Sequence, residues 1–207
     1  MRFTQRPADG DAEGALVLFH GRGADEHDLL PLLDALDPDR RLDGFCPRGP
    51  LALPPGGAHW YAVPRVGHPD PATFAQGFAV AAGFVDALPH ERVVLGGFSQ
   101  GAVIALSVAL GAGRPRPAAV VAFSGFLPEV EGWALGEAPW PPVAIGHGTL
   151  DEVIPVELAR RARDRLEGAG VPLLYRESKL AHAIDPAFVA ELAGRLRSPR
   201  LSLDDRL

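Results

Sequence analysis

From Ala15 onward, short continuous apolar runs alternate with segments whose apolar residues recur at helical spacing. The run ALVLF at 15–19 reads as a buried strand that feeds the turn His20-Gly21-Arg22-Gly23. Leu29, Leu30, Leu32, Leu33 and Leu36 then predict a helix, with Asp25 as its N-cap. The same reading predicts strands at 42–46, 93–97, 118–123, 143–146 and 173–177. It predicts helices at 73–88, 100–110, 156–167 and 186–196, the third with arginines along its outer face. Between 47 and 71 stand seven prolines and four glycines, so this stretch is expected to be an irregular excursion. The tail from Ser198 has no apolar period and is expected to be frayed or packed as an extended strip. Strands and helices that alternate from end to end predict an α/β chain: a mostly parallel sheet with helices on both faces.

Composition narrows this picture. Residues 1–207 suit a single domain, and 47% hydrophobic residues with only 22% charged are enough for a large core without covalent staples. A net charge of -6 has the wrong sign for attracting phosphate backbones or anionic lipid, so nucleic acid is not an expected partner. Cys46 is the single cysteine and has no disulfide partner, which fits a cytoplasmic location. The first residues carry no apolar stretch of the kind a secretory signal needs. The longest apolar runs, near 78–85 and 102–110, fall short of the ~18 residues of a membrane span.

The chemistry concentrates in VVLGGFSQGAVIAL. Here Gly97-Phe98-Ser99-Gln100-Gly101 fits G-x-S-x-G between a strand signal and a helix signal. Such a turn projects its serine from a tight backbone, beside the free N–H groups that open a helix. A serine hydroxyl needs a base to take its proton, and of the seven histidines only His147 and His182 follow Ser99. His182 lies after the last predicted strand, where a base following the acid in the chain belongs, and is preferred. Asp151 is the first carboxylate after the strand at 143–146 and is the candidate acid. It could instead cap the helix entered at Pro155, and Glu152 is the substitute acid. No H-x-x-x-H pair or cysteine cluster indicates a metal. An oxyanion needs two donors. One is the backbone N–H of Gln100, and the other comes from the turn at Arg22 or Gly23.

The separated motifs LFHGRGAD, GGFSQGA and HGTLDEVIP, followed by AHAI, resemble the bacterial phospholipase/carboxylesterase family, relatives of the acyl-protein thioesterases. The resemblance runs from Leu16 to about Leu196. It implies the α/β-hydrolase fold with a minimal lid, and a cofactor-free hydrolysis of carboxylic esters or thioesters. It also implies Ser99 as nucleophile, Asp151 as acid, His182 as base, and Arg22 and Gln100 as oxyanion donors. The SGFLP stretch that holds Phe126 is similar to the family's pocket-lining loop. Trp60, in the irregular excursion near the active-site mouth of relatives, is read as a pocket wall, with a local plug as the other reading. Arg22 stands where relatives carry an apolar residue and brings a guanidinium near the site. Ala181 replaces a glycine, and the chain is short for the family.

The expected function is therefore a serine carboxylesterase acting on small to medium acyl esters through an acyl-enzyme. A thioesterase or lysophospholipase would use the same groups. A ligand-binding protein that had lost turnover would be expected to lack one of them. The expected partner is a small-molecule ester, and a homodimer is compatible with the resemblance.

Overall fold

The computed structural model describes residues 1–197. Its central sheet joins β1 (Phe3–Arg6), β2 (Ala15–Phe19), β3 (Asp43–Pro47), β6 (Val93–Phe98), β7 (Ala119–Phe123), β8 (Val143–Gly148) and β9 (Leu173–Ser178). Their spatial order is β1-β3-β2-β6-β7-β8-β9. Only β1 is antiparallel to its neighbour. A separate hairpin pairs β4 (Leu51–Leu53) with β5 (Gly57–His59).

Alternation along the buried strands divides the core into two faces. Val17 and Phe19 pack with residues of α2 (Pro71–Asp86), α3 (Gln100–Leu110) and α4 (Val156–Gly168), whereas Leu16 and Leu18 pack with α1 (Leu30–Leu36) and α5 (Pro186–Leu196). All eleven residues of α3 are buried, which is why its sequence is apolar on every side. α2 and α5 start where sequence rules place them. Asp70 accepts the Thr73 N–H at 2.9 Å and Asp185 accepts the Ala187 N–H at 2.9 Å, each with a proline in the first turn.

Three local expectations need correction. Asp25 does not cap α1, which begins at Leu30 with Pro31 in its first turn. Its Oδ1 instead accepts the His27 N–H at 2.9 Å within the preceding turn. The excursion at 47–71 is not wholly irregular, because it contains the β4–β5 hairpin. β1 was not predicted: Phe-Thr-Gln-Arg lacks an apolar run, and its exposure fits a sheet edge. The expectation for the tail from Ser198 lies outside the described residues.

The chain leaves β2 for β3 on one side and, after the hairpin and α2, returns to β6 on the other. The crevice beyond the carboxyl ends of β2 and β6 is thus a topological switch point, the usual place for a ligand in an open parallel sheet. Both HGRG and Ser99 follow directly from those two strand ends.

Candidate active site

Ser99 sits between β6 and α3 at φ 55 and ψ -120, a backbone conformation that is costly for a residue with a side chain. The glycines around it are required by close approach. A Cβ on Gly101 would lie 1.9 Å from the Phe19 carbonyl oxygen, and one on Gly97 would lie 2.5 Å from the Gly101 carbonyl carbon. The turn therefore presses α3 against the end of β2 and brings the Gln100 and Arg22 backbones to the Ser99 side chain's cavity. Among the described residues neither the Gln100 nor the Arg22 N–H has an acceptor. Unsatisfied donors beside a buried serine are suited to an anion.

Asp151 and His182 are brought together. The Asp151 Oδ2 lies 2.7 Å from the His182 Nδ1, and the Asp151 Oδ1 accepts the N–H groups of Val153 at 2.9 Å and Ile154 at 2.8 Å. Asp151 thus orders its own turn with one oxygen and orients His182 with the other, rather than capping α4. Burial pushes its carboxyl up, but the His182 bond and the two backbone donors outweigh burial and hold it below the ordinary carboxylate range. Glu152, the substitute acid, is exposed. The loops carrying the pair are tied to each other: Thr149 N–H donates to the Ser178 carbonyl at 2.8 Å and Leu150 N–H to the Leu180 carbonyl at 2.9 Å. The His182 ring lies against that of Phe98, the residue before Ser99, with centroids 4.7 Å apart.

His147, the other histidine after Ser99, has different surroundings. Its side chain is fully buried, its Nε2–H donates to the Ile154 carbonyl at 2.8 Å, and burial lowers its pKa below the ordinary histidine range. It braces the 151–154 turn, a role the motif alone did not reveal. His20 has a similar place on the other side. Its Nε2 accepts the Gly49 N–H at 2.9 Å, which leaves Nδ1–H to face the Gly21 carbonyl at 2.7 Å and fixes the turn before Arg22.

A cavity of about 290 Å³ opens at Ser99. Phe126, from the SGFLP stretch, lines it together with Arg22, Gln100, Tyr61, Val66 and Ile154. Trp60 does not. It is fully buried, its Nε1–H donates to the His20 carbonyl at 3.0 Å, and its ring meets Phe19 edge-on at 5.2 Å. The plug reading describes this residue and the wall reading is withdrawn. The neighbouring Tyr61 supplies the wall instead, held by the Gln100 side chain, whose Oε1 accepts the Trp60 N–H and whose Nε2 donates to the Tyr61 carbonyl, both at 2.7 Å. The side chain of the residue after Ser99 is thereby the clasp for the excursion. Nothing in the sequence paired Gln100 with residues 60 and 61.

A mostly parallel seven-stranded sheet with a serine at positive φ between its central strand and a buried helix is the α/β-hydrolase fold. Residues 4–198 match the phospholipase/carboxylesterase family, to which the chain belongs. The acyl-protein thioesterase 1 of Candida albicans is 29% identical over 191 residues, covering 79% of this chain and 82% of that protein. Its namesake from Yarrowia lipolytica is 24% identical over 179 residues, covering 76% and 78%. Among solved structures, esterase PE8 superimposes with a TM-score of 0.77 at 27% identity, covering 94% of this chain and 96% of that one. The Bacillus cereus carboxylesterase gives 0.81 at 22% identity, covering 94% and 92%, a likeness of fold.

Proposed function

We propose that the protein is a serine carboxylesterase that turns over small to medium acyl esters through an acyl-enzyme on Ser99. The observation that carries this reading is the 2.7 Å contact of Asp151 with His182 Nδ1, made beside a serine at positive φ. In the proposed cycle His182 Nε2 takes the proton from Ser99 Oγ as that oxygen attacks the ester carbonyl. The Asp151 carboxylate keeps the His182 proton on Nδ1 and stabilises the imidazolium that forms. The Arg22 and Gln100 N–H groups receive the developing oxyanion, an interaction worth ~3 kcal/mol per donor in such sites. His182 then protonates the departing alcohol, and water repeats the sequence on the acyl-enzyme.

The cavity volume favours short acyl groups, since about 290 Å³ is at the small end of ligand pockets. The thioesterase names of the curated relatives favour a second reading, in which the same groups cleave a thioester. A chain-length series of 4-nitrophenyl esters, run beside the matching thioesters, separates the two. Short esters are expected to give the highest kcat/KM, whereas a preference for long acyl thioesters would establish the second reading. Ser99→Ala is expected to lower kcat by ~10⁴ or more with the fold intact. Ester turnover at the wild-type rate in that variant would overturn both.

A further inference from the structure

Arg22 contributes more than a backbone N–H to the cavity. Arg22 is an exposed residue of the lining next to Ser99, and no carboxylate is part of that lining. Among the described residues it has neither a hydrogen bond nor an ion pair. The acidic groups that follow it in the turn are already engaged. Asp25 faces His27 at 3.3 Å and Arg48 at 3.6 Å, while Glu26 is bound by Arg2 and, at 2.8 Å, by Arg48. Most other described arginines are answered by carboxylates, as in Arg6–Asp37, Arg114–Asp86 and Arg176–Glu191, although Arg65, Arg92, Arg116, Arg161 and Arg165 are not. Of the neighbouring walls, Val66, Phe126 and Ile154 are apolar and the Gln100 amide is committed to residues 60 and 61, while Tyr61 and His68 are polar but not acidic. In a chain of net charge -6, an unpaired guanidinium beside the nucleophile awaits an anion from the substrate.

We propose that the site selects esters carrying a carboxylate, with the Arg22 guanidinium as its partner. This rests on the esterase reading above and names its substrate class. Because the N–H of the same residue faces the scissile oxygen, the carboxylate belongs several bonds away from the ester carbonyl, as in a half-ester of a short dicarboxylic acid. With monomethyl adipate, Ser99 Oγ bonds to the acyl carbon while methanol leaves with the proton delivered by His182. Water then cleaves that new ester bond, restoring the serine and releasing adipate.

The test compares monomethyl adipate with methyl hexanoate, and 4-acetoxybutanoate with butyl acetate, so that the anion is placed on the acyl or the alcohol side of the ester. The quantity read is the ratio of kcat/KM for the charged ester to that for the neutral one, because any disturbance of the oxyanion turn acts on both. In the wild type this ratio is expected to favour the charged ester for at least one pair, the pair identifying the side that Arg22 reads. Arg22→Leu is expected to lower it about tenfold, and Arg22→Lys to lower it less. Equal ratios in wild type and Arg22→Leu would overturn the carboxylate proposal and leave the esterase reading standing. Should the wild type cleave none of the four esters, the esterase reading fails, and calorimetric titration with adipate decides the anion site alone. Binding weakened by Arg22→Leu would support the site, whereas equal or absent binding would overturn it.

Discussion

At the residue scale, the histidines of this chain are sorted by what surrounds them rather than by motif. His182 lies 2.7 Å from the Asp151 Oδ2 and remains partly open, whereas His147, 3.4 Å from the same oxygen, is sealed and donates to a backbone carbonyl. Chain order alone favoured His182, which the structure places against Asp151. The bracing role of His147 was not legible, because it depends on the 151–154 turn folding back over the ring. Burial holds the His147 pKa below 6.5. The unfolded chain therefore takes up a proton at this group as the pH falls through about 6.5, the folded chain only at lower pH, and stability present above that pH is lost as the pH falls. His147→Gln, which can keep a donor near the Ile154 carbonyl, is expected to retain most of kcat and to make the fall in Tm between about pH 7 and 5 shallower. His147→Leu leaves that carbonyl unpaired and is expected to cost about 1–3 kcal/mol of stability. Thermal melts across this pH range check both, and an unchanged slope in the Gln variant would contradict the buried neutral ring.

At the element scale, the strands with continuous apolar runs and the amphipathic helices were legible because burial on two faces leaves a direct trace in sequence. β1 escaped because an exposed edge strand needs no such run. The β4–β5 hairpin escaped because its prolines and glycines mask three-residue strands. The excursion is held by contacts no periodicity encodes, chiefly Trp60 beneath it and the Gln100 clasp beside it. Trp60→Ala empties a fully buried site, with an expected cost of ~3–5 kcal/mol. For a chain of this size that lowers Tm by about 10 °C. Ester preference is expected to change little, because the cavity wall is Tyr61. Melting curves and a selectivity profile across an ester series separate these effects. A large change in preference with an unchanged Tm would restore Trp60 to the pocket.

At the scale of the whole molecule, the order of the strands explains why residues far apart in sequence meet. The switch between β2 and β6 puts the Arg22 turn beside Ser99, and β8 and β9 deliver Asp151 and His182 through loops bonded to each other. G-x-S-x-G and the order of acid and base made this much readable from the chain. The cavity's composition was readable only in part: Phe126, Val153 and Ile154 fall in quoted motifs, but the walls from Tyr61, Val63 and 66–69 come from the excursion, where no repeat or motif marks them. None of the described helices is long and apolar enough to cross a membrane. The central claim is that Ser99 is activated for nucleophilic attack by the His182–Asp151 pair. Its most direct test is reaction with an alkyl fluorophosphonate, which bonds to an activated serine oxygen as fluoride leaves, followed by mass spectrometry of the intact protein and its peptides. One adduct on the peptide containing Ser99 is expected, absent in Ser99→Ala and formed far more slowly in His182→Ala. An adduct on another serine, or labelling of Ser99 at the same rate without His182, would contradict the account.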